Sequence, residues 1–541
     1  MKNQLLAIPG WYARWMHHFN MDPAGFALRF SDNNEWPIRE IAEQIHCYPR
    51  AIAKLGPLHL PGMIYRREAL EQSSGMSIAV WRAKTWISYI QHKRENPEDT
   101  PYIQKNSNSS VNNDDKPLIA DLTGGLGVDT AAFALEGTNV HYCERNPDIL
   151  EIARHNHTFL GCSTNIQYHN DDSFHWLGSL KSKEDSAAKK KPKPPKSSKL
   201  FNLVFIDPSR RKNGRRVISL EKSEPVITDH IELIRSVAER YLIKLSPVLD
   251  LTEIERKLPD CKRIIAVSVH GEVKELLADC IPSCGEKRSK ATPGESPEMR
   301  DLHRISSHQE SVRSGKIPNN IDPDLPGYDL LHQKPEKHAV ILDQTGGLSF
   351  HIYSKKNGYG TNCGIASFEN DDMHGNQEFS ISETPSNFIF EPDPAIIKMG
   401  LVDELSREFG LRRVNRNTPY LYGDLAGRAG DPAGRAGDVA GCAGDPAGRC
   451  GDPAELSGGG IHASFPGKCY RIIQEFPYKP RLIKKWLAQN ECTRVQIHKR
   501  GFPLSVEQLY RNLGCAMGGD VHLIATKNGQ GNLVLFIAES L

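Results

Sequence analysis

Between Pro117 and Val269 short apolar runs alternate with amphipathic stretches, and the first junction between them is a glycine-rich turn, Asp121-Leu-Thr-Gly124-Gly125-Leu-Gly127-Val-Asp129. The apolar runs are Leu118-Ile-Ala-Asp121, Val140-His-Tyr-Cys-Glu144, Ile166-Gln-Tyr-His169, Leu203-Val-Phe-Ile-Asp207, Tyr241-Leu-Ile-Lys-Leu245 and Ile264-Ile-Ala-Val-Ser-Val269. Runs this short, separated by helical periodicity, predict strands of a doubly wound parallel sheet. The first two strands end on Asp121 and Glu144, and the fourth ends on Asp207. In such sheets the ligand crevice lies at the carboxyl ends of the strands.

Glycines at a strand-to-helix junction let the chain turn tightly and bring its backbone against a ligand. Three ligand classes compete for this one. A Walker loop needs Gly-Lys-Ser/Thr at its end, which is missing, so triphosphate hydrolysis is disfavoured. A dinucleotide site needs Gly-x-Gly-x-x-Gly, whereas Gly125-Leu-Gly127 is followed by Val128, Asp129 and Thr130. An anionic Asp129 at the start of the helix Thr130 to Leu135 would compete with pyrophosphate for the helix-terminal donors. The ligand is therefore expected to lack phosphate.

The length of 541 residues predicts three or four domains at roughly 100–200 residues each. Lys+Arg 68 against Asp+Glu 66 gives a net charge of +2, so any basic surface must be local. No stretch approaches the ~20 apolar residues of a membrane span and no secretory signal is present, so a cytoplasmic protein is expected. The twelve cysteines include no Cys-x-x-Cys pair and read as reduced thiols, with neither zinc nor redox work implied. For a nucleophilic thiol Cys261 and Cys280 are the candidates, but neither sits in a recognisable motif, and buried structural cysteine is the commoner case.

Three polar segments punctuate the chain. Ser179 to Leu200 carries eight Lys and three prolines with almost nothing to bury, so disorder is expected. Residues 281–337 are rich in Ser, Pro and His and lack periodicity, as a linker would. In the third, Gly-Asp recurs every seven residues from Gly423 to Asp452. That repeat has neither the apolar seam of a coiled coil nor the every-third Gly of collagen, and it reads as a flexible loop. Residues 1–100 read as helices, with Pro37 to Ile45 and one long helix Arg66 to Ile90 carrying Leu70, Ser74, Ser77, Ile78 and Trp81 at helical spacing. Glu71 to Ser74 could reach a ligand from this layer. Lys244-Leu-Ser-Pro-Val-Leu-Asp250 and Ser268 to Leu277 close strands five and six with polar groups, which could equally cap following helices.

From Lys337 the pattern is α+β: strands Ala339 to Leu342 and Leu348 to Tyr353, an amphipathic helix Ala395 to Phe409, then Tyr470 to Gln474 and Pro480 to Gln489. The end of the chain reads as strand Arg494 to His498 and a capping box at Ser505-Val-Glu-Gln508. Gly518-Gly-Asp520 then turns into strand Val521 to Thr526, which Asn528-Gly529 joins in a hairpin to Leu533 to Ile537. Between Lys468 and Arg511 ten Lys/Arg face three acids, including Lys484-Lys485 and Lys499-Arg500, with Tyr470, Tyr478 and Trp486 interleaved. This is either a phosphate-tracking patch or a solvated face.

Asp-x-x-x-Gly-x-Gly after strand one, with an acid ending strand two, resembles the class I S-adenosylmethionine-dependent methyltransferases. The resemblance implies that Asp121, Thr123, Gly125, Gly127 and Asp129 line the methionine end of that cofactor, that Glu144 takes its ribose hydroxyls, and that Asp171 and Asp172 in Asn170-Asp-Asp-Ser173 meet its adenine. Glu144-Arg-Asn-Pro147 together with the turn is similar to bacterial ribosomal-RNA guanine-N2 methyltransferases. Adding Asp207-Pro-Ser-Arg-Arg211, Lys244-Leu-Ser-Pro-Val-Leu-Asp250 and Phe502-Pro-Leu-Ser505, the chain resembles a Bacteroidetes-type family of class I methyltransferases with ferredoxin-like and THUMP-like domains.

The implied architecture is α/β: a Rossmann-like class I methyltransferase sheet with an N-terminal helical region and C-terminal α+β domains, ferredoxin-like and THUMP-like. The expected boundaries are 1–110 helical, 111–280 methyltransferase, 281–337 linker, 338–490 ferredoxin-like with the repeat loop 423–460, and 491–541 THUMP-like. A THUMP-like module implies RNA, transfer RNA or ribosomal RNA, as partner, with no membrane and no metal.

In amino-methylating members of the family an Asp/Asn-Pro-Pro-aromatic segment holds the target amine and stacks on its base. Here Asp207-Pro208 fits, Ser209 replaces the second proline and Arg210 replaces the aromatic. Asp207, Pro208 and Ser209 are the expected catalytic segment, with Arg210, Arg211, Lys484, Lys485, Lys499 and Arg500 as RNA contacts. The expected activity is methylation of a base nitrogen in RNA. The alternatives are a catalytically silent methyltransferase fold that binds RNA, and a methyltransferase acting on protein or small molecules.

Overall fold

The computed structural model describes residues 3–95, 116–188, 199–209, 211–212, 215–216, 219–282, 334–355, 358–363, 366–370, 387–423 and 465–541. An N-terminal helical layer holds α1 (Trp11–Trp15), α2 (Pro23–Arg29), α3 (Ile38–Leu55), α4 (Arg67–Gln72) and α5 (Met76–Glu95). Then β1 (Leu118–Asp121), α6 (Val128–Leu135), β2 (Asn139–Cys143), α7 (Pro147–Phe159), β3 (Ile166–His169), α8 (Ser173–Ala188) and β4 (Leu203–Ile206) alternate. A two-stranded ribbon β5 (Arg211–Lys212) and β6 (Arg215–Arg216) precedes α9 (Ile231–Val237), β7 (Tyr241–Leu245), α10 (Leu251–Lys257), β8 (Cys261–Val269) and β9 (Glu272–Cys280). Four more strands follow, β10 (Glu336–Leu342), β11 (Leu348–Lys355), β12 (Gly358–Cys363) and β13 (Ala366–Asn370).

All thirteen strands but the ribbon form one eleven-stranded sheet, in the order β13-β12-β11-β10-β8-β9-β7-β4-β1-β2-β3. The half from β7 to β3 is parallel, and its inner strands β7, β4 and β1 are nearly continuous buried runs because helices cover both faces. One face carries α6, whose Ala131, Ala132 and Ala134 let it sit close against the sheet and against α5. Six parallel strands were expected; β9 instead enters antiparallel between β7 and β8, through a tight hairpin at His270-Gly271. Ser268 to Leu277 is therefore not a strand followed by a helix cap. His270 at φ 54° and Gly271 at φ 68° supply the left-handed pair that a two-residue hairpin demands.

The second sheet has seven strands, in the order β15-β16-β14-β17-β20-β19-β18. They are β14 (Phe388–Pro392), β15 (Arg412–Arg413), β16 (Leu421–Gly423), β17 (Gly467–Pro477), β18 (Arg494–Lys499), β19 (Ala516–Lys527) and β20 (Leu533–Ser540), with α11 (Pro394–Met399), α12 (Val402–Glu408), α13 (Pro480–Gln489) and α14 (Val506–Leu513). The capping box at Ser505 and Gln508 opens α14 as expected. Ile483, Leu487, Leu509 and Leu513 from α13 and α14 pack on Leu523, Leu535 and Ile537.

Several expectations change. The boundaries at 337/338 and 490/491 cut through sheets: β10 pairs in parallel with β8, and β17 joins β14 to β20. Both pairings are long-range, which local periodicity does not report. The helix expected over Arg66 to Ile90 breaks at Ser73-Ser74-Gly75, where Ser73 is extended and its hydroxyl donates to the Leu70 carbonyl at 3.0 Å. The helix expected over Ala395 to Phe409 is two, split at Gly400, which takes φ 73°. Residues 179–188, expected to be disordered, extend α8, which buries Phe174 and Leu177 in its first turns and continues through helix-forming Lys, Glu and Ala. Most of the linker and the Gly-Asp repeat lie outside the described residues.

The second sheet is docked on the first through α11. Asp393 caps α11 at the Ala395 amide (2.8 Å) and accepts the Ser268 hydroxyl at 2.9 Å, both buried. Lys398 donates to the Leu249 carbonyl at 2.8 Å. Among the described residues no helix is long and apolar enough to cross a membrane.

Candidate functional site

The carboxyl ends of β1, β2, β4 and β7 open on a cleft of about 2050 Å³, lined among others by Ser74, Thr123, Glu144, Asp172, Asp207 and Lys244. It sits at the switch point of the sheet, where β2 lies on one side of β1 and β4 on the other.

The glycine turn is assembled from inside. Asp121 is 1 % exposed; its Oδ1 accepts the Thr123 amide at 3.1 Å and its Oδ2 accepts the Thr130 hydroxyl at 2.6 Å. Burial pushes this carboxyl up to about 7. Asp121 thus shapes the turn and points into it; the expected place along a ligand is not where this side chain sits. Gly127, at φ 74°, has no space for a β-carbon because the His157 imidazole occupies it. His157 Nε2 lies 2.9 Å from the Gly127 carbonyl, which can only accept, so that nitrogen carries the proton and Nδ1 accepts from the Tyr168 hydroxyl at 3.0 Å. Burial holds this histidine neutral, down at about 4.

Glu144 spans from β2 to the turn. Its Oε2 accepts the Gly125 amide at 3.0 Å and its Oε1 accepts the Asn146 amide at 2.7 Å. Asp172 lines the cleft and caps α8 through the amides of Phe174 (3.0 Å) and His175 (3.1 Å). Asp171 is turned to the His175 imidazole at 3.0 Å, a hydrogen bond that holds its carboxyl below the usual range. Of the two acids expected at the adenine, Asp172 faces the cleft.

Asp207 is fixed twice. Its amide donates to the Thr123 hydroxyl at 2.6 Å, and its Oδ2 accepts from Lys244 Nζ at 2.6 Å. Pro208 and Ser209 line the cleft beside it, and the Ser209 amide donates to the Glu224 carbonyl at 2.7 Å. Arg210 and the side chain of Arg211 lie outside the described residues.

Behind Asp207 stands a ring of buried polar groups. Lys244 also donates to the Ser74 hydroxyl at 3.1 Å and lies 4.0 Å from Glu275. The Ser74 hydroxyl donates to Asp129 at 2.7 Å. Arg82, fully buried, is paired with both Asp129 and Glu275, and its guanidinium lies 4.8 Å from the centre of the Phe205 ring. Asp129, expected at the ligand, is thus held in this ring while still lining the cleft. Lys54, on α3, lines the cleft too; it donates to the carbonyls of Leu70 (2.8 Å) and Glu71 (2.9 Å), and burial lowers it to about 8.

Arg82 was not among the expected site residues; Ser74, Lys244 and Glu275 stood only in segments read as able to reach a ligand or as polar strand ends. Lys244 did carry a signal, a lone charge inside the apolar run Tyr-Leu-Ile-Lys-Leu. How the ring pairs was not legible, since its partners lie from about fifty to nearly two hundred residues apart.

The cysteine candidates lie elsewhere. Cys261 and Cys280 face each other across β8 and β9, and Cys280 is level with Tyr241, the start of β7 and the opposite edge of the sheet from the cleft. Burial raises the Cys280 thiol well above its ordinary range. Among the described residues no group of three or more His, Cys, Asp or Glu is arranged to hold a metal ion.

The basic residues of the second sheet divide in two. Lys484 and Lys485 are exposed on α13, next to exposed Arg481. Lys499 instead donates to the carbonyls of Phe502 (3.2 Å) and Leu504 (2.9 Å), and Arg500 pairs with Glu391 at 3.1 Å. None of these four lines the cleft.

Residues 467–540 match the family described as THUMP domain-like. No curated protein matches the chain. Among solved structures, a protein from Porphyromonas gingivalis W83 assigned as a methyltransferase is similar over 99% of this chain and 98% of its own, with TM-score 0.59 and 20% identity. The chain therefore has that protein's fold. An RNA methyltransferase from Salinibacter ruber, solved with S-adenosyl-L-homocysteine, aligns with 32% of this chain and 87% of its own at TM-score 0.20 and 12% identity, a likeness too slight to argue from.

Proposed function

We propose that this protein is an S-adenosylmethionine-dependent methyltransferase that modifies a base nitrogen of transfer or ribosomal RNA in the cytoplasm. The observation that carries the reading is the meeting, in one cleft at the switch point, of the glycine turn, Glu144, Asp172 and the segment Asp207-Pro208-Ser209. The donors fit that cofactor. Carboxylates face a ligand whose sulfur is cationic, and backbone amides of a glycine turn suit its zwitterionic methionine part.

The bound cofactor would supply a methyl group on a sulfonium. Glu144 is placed to take ribose hydroxyls, Asp172 to meet the adenine, and Thr123, Gly125 and Gly127 to hold the methionine part. At the reacting position the Asp207 carboxylate and the Pro208 carbonyl accept hydrogen bonds from the target amine and aim its lone pair, mostly an effect of proximity. A methyl group so supplied would be bonded by the nitrogen lone pair, the electron pair of the broken C–S bond would stay with sulfur, and Asp207 or water would take the proton that leaves the nitrogen. The THUMP-like region supports RNA as the substrate, with exposed Lys484 and Lys485 as phosphate contacts.

The test is methyl transfer from labelled cofactor into RNA from cells lacking the gene, with wild type and Asp207→Ala in parallel. Labelling by wild type alone, recovered in a modified base, is expected. Cofactor binding with no labelled RNA would leave a silent fold, and label resistant to RNase would assign the activity to protein.

A further inference from the structure

We infer that Lys244 is a positioning residue for Asp207, and that through Ser74 and Arg82 the N-terminal helical layer is built into the reacting site. The inference rests on the proposed methyl transfer for its kinetic consequence but not for its structural one.

A lysine buried inside an apolar strand is a costly choice, because desolvating an ammonium is repaid only by well-placed partners. Lys244 is 6 % exposed and the other four residues of β7 are buried Tyr241, Leu242, Ile243 and Leu245. Its partners come from three places: Asp207 at the end of β4, Ser74 in the break between α4 and α5, and Glu275 on β9. Those partners are themselves closed into a ring, since Ser74 reaches Asp129, and Arg82 of α5 pairs with Asp129 and Glu275. A single displaced member would leave a buried charge uncompensated, so the ring holds the ammonium to one place.

A consequence follows for Asp207. Its carboxylate is pinned at Oδ2 while its amide is pinned by the Thr123 hydroxyl, which fixes the direction in which its other oxygen is presented to the cleft. The ring and Asp207 together hold two cations and three carboxylates, and the Lys54 ammonium lines the same cleft. The break at Ser73-Ser74-Gly75 is explained by the same geometry. A continuous helix from Arg66 to Ile90 would not deliver the Ser74 hydroxyl between Lys244 and Asp129.

The test uses the full chain with Lys244→Met, Lys244→Arg and Ser74→Ala. In carbon-labelled aspartate spectra at fixed pH, with Asp207→Asn for assignment, the Asp207 carboxyl signal should be single and sharp in substrate-free wild type and should shift and broaden in Lys244→Met as the side chain loses its fixed position. In RNA methylation, Lys244→Met should lower kcat at least 100-fold with cofactor Kd changed less than threefold. Lys244→Arg should recover part of the rate, and Ser74→Ala should lose roughly three- to tenfold. An Asp207 signal unchanged in position and width in Lys244→Met overturns the inference, whatever the activity. Should Lys244→Met fail to fold, Ser74→Ala decides: an unchanged rate and an unchanged Asp207 signal overturn it. A wild type that labels no RNA, with the Asp207 signal changed as expected, overturns the proposed function and leaves the positioning role intact.

Discussion

The ring of Tyr142 occupies the space where Gly124 would carry a side chain: a β-carbon built there overlaps Cε2 of the ring. The same tyrosine donates its hydroxyl to the Gly125 carbonyl at 2.5 Å, and the Gly124 amide donates to the Cys143 carbonyl at 3.0 Å. Strand β2 therefore grips the turn through one aromatic side chain and its own backbone. Gly124→Ala should force the ring or the turn to move, at a cost of about 1–3 kcal/mol. We expect a lower melting temperature and a cofactor Kd raised more than tenfold by calorimetry. Unchanged values in both would mean the turn accommodates the methyl group.

Asp121 predicts a pH dependence of stability. Its carboxyl sits near 7 in the fold because of burial, against 3.8 ordinarily, so the folded state holds a proton that the unfolded chain has released. The sign follows: the contribution is present below about 4 and is lost as pH rises through about 7, at most about 1.4 kcal/mol for each pH unit. Asp121→Asn imitates the protonated form, since its oxygen can still accept the Thr123 amide and its NH2 can donate to the Thr130 hydroxyl. Thermal unfolding from pH 5 to 8 should fall more steeply for wild type than for Asp121→Asn. Parallel curves would show that Asp121 stays ionised throughout.

Glu144 does two jobs with one carboxylate, and they can be separated. Its oxygens already hold the amides of Gly125 and Asn146, so removal loosens the turn as well as the proposed ribose contact. Hydrogen bonds to a charged group are worth about 1.5–3 kcal/mol each. Glu144→Ala should weaken cofactor binding roughly 10- to 100-fold, since about 1.4 kcal/mol is tenfold in Kd. Glu144→Gln keeps one acceptor oxygen and should fall between. Binding of a methionine fragment by Glu144→Ala at wild-type strength would place the loss at the ribose and not in the turn.

What could be read in the sequence follows the range of the interactions. The parallel strands and α6 are local patterns of apolar residues and glycine, and the reading placed them within a few residues. The strand-end acids were also legible, but their directions were not. Asp121 turned inward to Thr123 and Thr130, and Asp171 turned to His175, because neighbouring donors claimed them first. The antiparallel entry of β9 and the continuation of the sheet into β10 depend on pairings that no period reports. The ring at Lys244 draws on residues from Ser74 to Glu275, whose pairings no local pattern reports.

The second sheet offers a test of which basic residues meet RNA. Ten Lys/Arg between Lys468 and Arg511 look alike in the sequence, yet the structure gives them different work. Lys499 closes the chain segment after β18 by holding two carbonyls, and Arg500 ties that segment to Glu391 beside α11. Lys484 and Lys485 share the exposed surface of α13 with Arg481, three and four residues apart, which puts Arg481, Lys484 and Lys485 on one side of the helix. Lys484→Glu with Lys485→Glu should weaken RNA binding in 100 mM salt without changing the melting temperature. It should also flatten the dependence of log K on log salt by roughly one to two units, about one for each phosphate contact removed. Lys499→Met should do the reverse, lowering stability by about 1–3 kcal/mol in all, because the ammonium that holds the two carbonyls is half-buried and water replaces part of each bond. Its salt slope should stay close to that of wild type. Equal slopes for the α13 double variant and wild type would assign those lysines to a solvated face and move the search for the RNA track to the cleft rim, where Arg39, Arg66, Arg67 and Lys274 lie.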